Sequence, residues 1–135
     1  MLRFIIVCVA NGLLFGMLDG IINANPLARR FYEVYAPVAK ESINVPLGLL
    51  IDLIYGIVMG LVFLLLFQAL PGDSGLVKGL AFGAIVWFFR VFMSTMTQLM
   101  THKVPFLTLL YTLVTGMIEM LIIGLVYGAF LKPLN

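Results

Sequence analysis

Four stretches of this chain, about 3–23, 46–70, 76–100 and 105–131, are apolar enough to cross a bilayer, and each carries a charged residue: Asp19, Asp52, Arg90 and Glu119. About 20 apolar residues span a hydrocarbon core, so the segment lengths predict an all-α integral membrane protein with four transmembrane helices. A charge near the centre of a bilayer costs roughly 2.5–3.5 kcal/mol on insertion scales, so such groups face a partner, a cavity or a permeating species rather than lipid. The four charges are therefore where function is sought.

Composition narrows the class. Residues are 63% hydrophobic and 10% charged, against about 25% charged in soluble domains. Four spans and their connections use nearly the whole length, which predicts a single transmembrane domain, 1–135, with no separate catalytic domain. The net charge is +2 and the basic residues are scattered, a pattern without the basic patch that nucleic-acid binding requires. The lone cysteine, Cys8, falls inside the first apolar run and reads as a packing residue. Hydrophobicity there continues to Ile22, past the length of a signal-peptide core, and predicts a retained span.

An even number of spans puts both ends of the domain on one face, side A, together with the second loop; the first and third loops lie on side B. Arg3, Lys78 and Lys132 fall on side A and Arg29, Arg30, Lys40 and Lys103 on side B, a near-even division that sets no orientation. The second loop, Pro71-Gly72-Asp73-Ser74-Gly75, is a compact turn with Asp73 or Ser74 available as a helix cap, which predicts spans two and three as antiparallel neighbours. In the long first loop Asn25-Pro26 has the form of a helix start. Leu27, Phe31, Val34, Tyr35 and Val38 recur there at helical spacing until Pro37 disrupts the run. We expect a short interfacial helix on side B, an anchor with Tyr32 and Tyr35 at headgroup level, the alternative being a gate or docking surface.

The chain also repeats. Gly12-Leu13-Leu14-Phe15-Gly16 matches Gly79-Leu80-Ala81-Phe82-Gly83 at an offset of 67, and the same offset carries Asp52 onto Glu119. The halves, about 1–67 and 68–135, predict two tandem helical hairpins in parallel orientation. Each span carries a Gly-x-x-x-Gly: Gly12/Gly16/Gly20, Gly56/Gly60, Gly79/Gly83 and Gly124/Gly128. Close backbone approach over such residues supplies packing where lipid offers no hydrophobic drive, and also suits a homo-oligomer.

The last two spans hold a polar stripe. Thr108, Thr112, Thr115 and Glu119 are spaced four, three and four, and Arg90, Ser94, Thr97 and Thr101 repeat that spacing. Each set shares one helix face. The pairs Arg90/Glu119, Ser94/Thr115, Thr97/Thr112 and Thr101/Thr108 are mirrored about the point between Val104 and Pro105, where a turn is expected. Closed symmetrically, the hairpin puts Arg90 level with Glu119, about 16 Å from its tip at 1.5 Å per residue. Thr95 and Gln98 fall off this stripe.

In one reading the stripe is structural, a buried ion pair bridged by hydroxyls. In the other the hydroxyls line a half-channel from side B to a mid-membrane carboxylate. Three carboxylates, Asp19, Asp52 and Glu119, face one arginine, and desolvation disfavours the charged form of any left unpaired, which suits proton exchange or a bound cation. Catalysis finds few components: one histidine, His102, and no His-x-x-x-His, Gly-x-Ser-x-Gly, Cys-x-x-Cys or phosphate-loop pattern. The series Met93, Met96 and Met100 reads as packing rather than a metal site. We expect a proton- or cation-linked transport or permeation role centred on Arg90, Glu119, Asp52 and Asp19, in a homo-oligomer or with a membrane-protein partner. The alternatives are an accessory or assembly subunit and, with least support, a membrane enzyme acting on lipid. The general form is that of small proteins of prokaryotic cytoplasmic membranes; no motif names a cofactor.

Overall fold

The computed structural model describes residues 1–133; Leu134 and Asn135, which end the predicted domain and its second repeat half, lie outside the described residues. Every regular element among them is helical: α1 (Leu2–Ala24), α2 (Pro26–Tyr32), α3 (Val45–Leu66), α4 (Gly75–Trp87), α5 (Met93–Thr101) and α6 (Phe106–Phe130). A 3₁₀ segment, Glu33–Val38, follows α2, and a π-helical turn, Phe88–Phe92, joins α4 to α5. The stretch Gly75–Thr101 is thus one continuous rod, and with α1, α3 and α6 it makes four helices long and apolar enough to cross a membrane. The chain is a membrane protein, and large apolar side chains such as Ile6, Met17, Leu65 and Leu107 form the outward faces that contact lipid.

Local sequence explains the breaks between rods. Asn25 joins α1 to α2: its Nδ2 donates to the carbonyls of Ile21 and Ile22, closing α1, while its Oδ1 accepts from Ala28 N, opening α2 with Pro26 in the first turn. Asn44 caps α3 in the same manner through Leu47 N, and Ser74 caps α4 through Val77 N. The second span ends at Leu66, short of the expected residue 70. Pro71 disfavours helical geometry at the residue before it, Gly72 follows at φ +99°, and Lys78 Nζ donates to the Phe67 and Leu70 carbonyls that the helix leaves open.

The rods pack in the order α3, α1, α6, α4, with close backbone contact at each step. Glycine sets those contacts. A Cβ on Gly12 would come within 2.7 Å of the Asp52 carbonyl oxygen, and one on Gly56 within 2.8 Å of Gly12 Cα. Between α4 and α6 a Cβ on Gly75, Gly79 or Gly83 would collide with the carbonyl oxygen of Gly128, Gly124 or Met120 respectively. These three pairs are mirrored about the point between Thr101 and His102, three residues before the expected pivot. Spans two and three, joined by the short second loop, do not pack backbone to backbone. Their glycine faces are occupied by α1 and α6, and the two rods meet instead through the rings of Phe63 and Phe82, 5.3 Å apart. Phe63, Phe82 and Tyr127 fill the side A half of the core, with Cys8 buried against Gly60.

Candidate functional site

On side B the arrangement changes. Contact between the last two rods, extensive along α4, is sparse along α5, and the wedge between α5 and α6 is filled from the side by the segment after Asn25. Thr108 Oγ1 donates to the Phe31 carbonyl, Tyr35 OH donates to Gln98 Oε1, and Tyr32 OH lies 3.2 Å from Thr112 Oγ1. Thr112 commits its own hydrogen to the Thr108 carbonyl, so Tyr32 is the donor. Burial pushes the Tyr32 phenol up from its usual value, which keeps it protonated and a donor. Below this plug α1, α5 and α6 line an open cavity of about 210 Å³.

Glu119 lies against the inner part of the cavity, 3% exposed, with Oε1 fully buried and without a hydrogen-bond partner. Arg90 Nη1 stands 3.8 Å from Glu119 Oε2, an ion pair too long for a hydrogen bond. Rather than burying its head group, Arg90 keeps 37% of its side chain exposed and lays the guanidinium over the Phe15 ring, 4.6 Å from the centroid. The rings beside it in sequence, Phe88 and Phe89, turn outward. Asp19 lines the same cavity and accepts from Asn23 Nδ2 at 3.4 Å. Asp52 does not reach it: its carboxylate packs against Gly16 and lines a groove of about 550 Å³ between α3 and the Arg90 region. Cavity and groove share Asp19, Asn23 and Arg90, so three acids and one base surround a single junction.

The polar stripe divides. Ser94, Thr112 and Thr115 line the cavity with Arg90 and Glu119. Thr97 and Thr101 do not; both are exposed and return their hydroxyls to the Met93 and Thr97 carbonyls of their own helix. Thr108 is buried under Phe31. In place of Thr97 and Thr101 the cavity takes Thr95 and Gln98. The π turn is the reason. Met93 N–H closes on the Phe88 carbonyl, five residues back, and one extra residue in a turn rotates everything beyond it by about 100°. Position 95 then faces where 94 would have faced, and 98 where 97 would have.

On α1 the sequence analysis singles out Asp19 but not the residues around it. Asn11, Phe15, Asp19 and Asn23 recur every four residues, a stripe that holds Arg90 through Phe15 and the cavity through Asp19. Asn11, 1% exposed, donates to the Ile123 carbonyl and leaves Oδ1 unpartnered, while Tyr127 OH donates to the Gly56 carbonyl. Beyond these two, the side A path from Glu119 meets aromatic rings and packed glycine. His102 sits exposed in the third loop with its Nδ1 on Thr101 Oγ1. Among the described residues no three His, Cys, Asp or Glu side chains converge to hold a metal.

Comparison with known proteins gives one family assignment. No curated protein and no solved structure matches the chain. A family model extends over residues 6–135. The chain therefore belongs to DUF6789, a family of unknown function.

Proposed function

We propose that this protein carries out proton- or cation-linked permeation or transport, with Glu119 as the exchange site, Arg90 and Asp19 as its electrostatic setting, and Ser94, Thr112 and Thr115 along the access from side B. The observation that carries this reading is Glu119: its side chain lines the cavity, and its Oε1 is buried among spanning helices without a hydrogen-bond donor. A buried polar atom left without a hydrogen bond is expensive in a membrane interior and is kept where something arrives to satisfy it. The side A half, closed by glycine packing and the Phe63–Tyr127 cluster, supports a one-sided access state. Asp52, in the adjoining groove, serves as a second acidic station.

The architecture we read for this role is two tandem hairpins, α1 with α3 and α4 with α6, and an interfacial α2 on side B. The contacts Gly12–Gly56 and Gly79–Gly124 fall at nearly the repeat offset, which supports duplication. A homo-oligomer suits the groove beside Arg90. The test is flux in proteoliposomes: Glu119→Gln abolishes it while the purified protein stays monodisperse and helical. Full flux in that variant ends the proposal.

A second reading, an assembly subunit that holds a partner helix, is favoured by the 37% exposure of the Arg90 side chain in the lateral groove. It predicts that Arg90→Gln abolishes copurification with a partner and leaves flux unmeasurable in both forms.

A further inference from the structure

The inner wall of the cavity is rich in hydrogen-bond acceptors. A threonine hydroxyl has one hydrogen and two lone pairs. Thr95 commits its hydrogen to the Val91 carbonyl at 2.7 Å, Thr115 to the Tyr111 carbonyl at 2.7 Å and Thr112 to the Thr108 carbonyl at 3.1 Å. What these side chains have left for the cavity is lone pairs. Asp19 and Glu119 add carboxylate oxygens, one of them buried and without a partner. On the donor side, Asn23 Nδ2 is already engaged with Asp19, and Arg90 is drawn to Glu119 and the Phe15 ring. The remaining donors of the lining are Ser94, which is exposed, and Gln98, a further turn along α5.

Charge points the same way. Two acids and one arginine line the cavity, and Asp52 adds a third acid at the junction with the groove. The volume leaves room for more than a bare ion. About 210 Å³ is room for about seven waters at roughly 30 Å³ each, more than a bare inorganic ion fills.

We infer that this cavity binds a small organic cation bearing several N–H donors, of the alkylammonium or guanidinium class, with the Glu119 and Asp19 carboxylates as charged acceptors and Thr112 and Thr115 as neutral ones. The inference rests on the cation-linked reading above and names the class of cation. Recognition is by donors and not by charge alone, because the wall offers oxygen lone pairs at several heights and hydrogen-bonded matches discriminate strongly against analogues that leave buried acceptors unmet.

The experiment is calorimetric titration of the purified full-length chain in detergent with guanidinium, methylammonium, tetramethylammonium and sodium at constant ionic strength. Tetramethylammonium keeps the charge and fits the volume but carries no N–H. Guanidinium or methylammonium is expected to bind at least tenfold more tightly than tetramethylammonium and sodium, and Glu119→Gln to weaken that binding at least tenfold. Absence of binding by both N–H cations, or equal binding by tetramethylammonium, overturns the inference on the native protein without recourse to any variant. Unchanged affinity in folded Glu119→Gln overturns it as well. Binding without flux contradicts only the transport reading, and proton flux without binding of these cations contradicts only this inference.

Discussion

In the side A half of the molecule α4 and α6 touch backbone to backbone; in the side B half the continuation of α4 stands off from α6 and a polar cavity opens between them. The same pair of rods makes both regions. Where glycine recurs every four residues on both helices, carbonyl oxygens meet α-carbons and no space is left for a side chain, let alone water. From the π turn onward the facing residues are Val91, Thr95 and Gln98, which need room, and the segment after Asn25 inserts Phe31, Tyr32 and Tyr35 to cover what the helices do not. Close packing and an accessible site are incompatible on one helix face, and this chain separates them along the length of the rod.

The largest effect is expected where packing leaves no slack. Gly124→Leu drives a side chain into the Gly79 carbonyl and the Gly83 backbone, a clash between main chains that cannot yield, with a cost at or above the upper end of about 1–3 kcal/mol for overpacking. Loss of the monodisperse species in detergent and a lowered unfolding midpoint in mixed micelles are the expected readouts; a native midpoint means that the glycine contact is not structural.

Deletion of Phe89 tests the boundary between the two regions. Removing one residue from the π turn restores an α-helical register and rotates Thr95 and Gln98 off the cavity by about 100°. Flux is expected to fall to background and the Tyr35–Gln98 bond to be lost, with the glycine-packed half still folded. Retained flux implies that the turn does not position the site.

The smallest effect sharpens the comparison from the other direction. Gly20 belongs to the glycine series of α1, yet no atom lies within 4 Å of where its Cβ would be. Gly20→Ala is expected to raise stability by about 0.5–1 kcal/mol through the helix-entropy term alone, measured by the same unfolding assay. Destabilisation indicates that a second molecule packs on this face.

Hydropathy made the spans legible because length and apolarity are properties of each segment alone. Asn25-Pro26 and Ser74 were legible as caps for the same reason: their partners lie three residues away. The Arg90–Glu119 approach followed from spacing within one hairpin. What the spacing missed was the phase of Thr97 and Thr101, because a helix-wheel argument assumes an unbroken 3.6-residue turn, and the π turn under the aromatic block Trp87–Phe92 violates it. Thr95 and Gln98, off the expected stripe, are the residues that it turns inward. Spans two and three meet through side chains and not backbone to backbone, since a short loop fixes where two helices join and glycine faces decide where they pack. Phe15 beneath Arg90 lies 75 positions away in sequence, and contact across such a distance has no local signature.

The claim on which the account depends is that water reaches Glu119 from side B and not from side A. Modification of a single introduced thiol by a membrane-impermeant reagent tests it directly, with native Cys8, fully buried near the side A glycines, as the internal control. Thr115→Cys, one turn from Glu119 on the cavity wall, is expected to react when reagent is applied to side B alone, and Cys8 to stay unmodified from either side. Protection of the Thr115→Cys thiol from side B, or modification from side A at the same rate, contradicts the account.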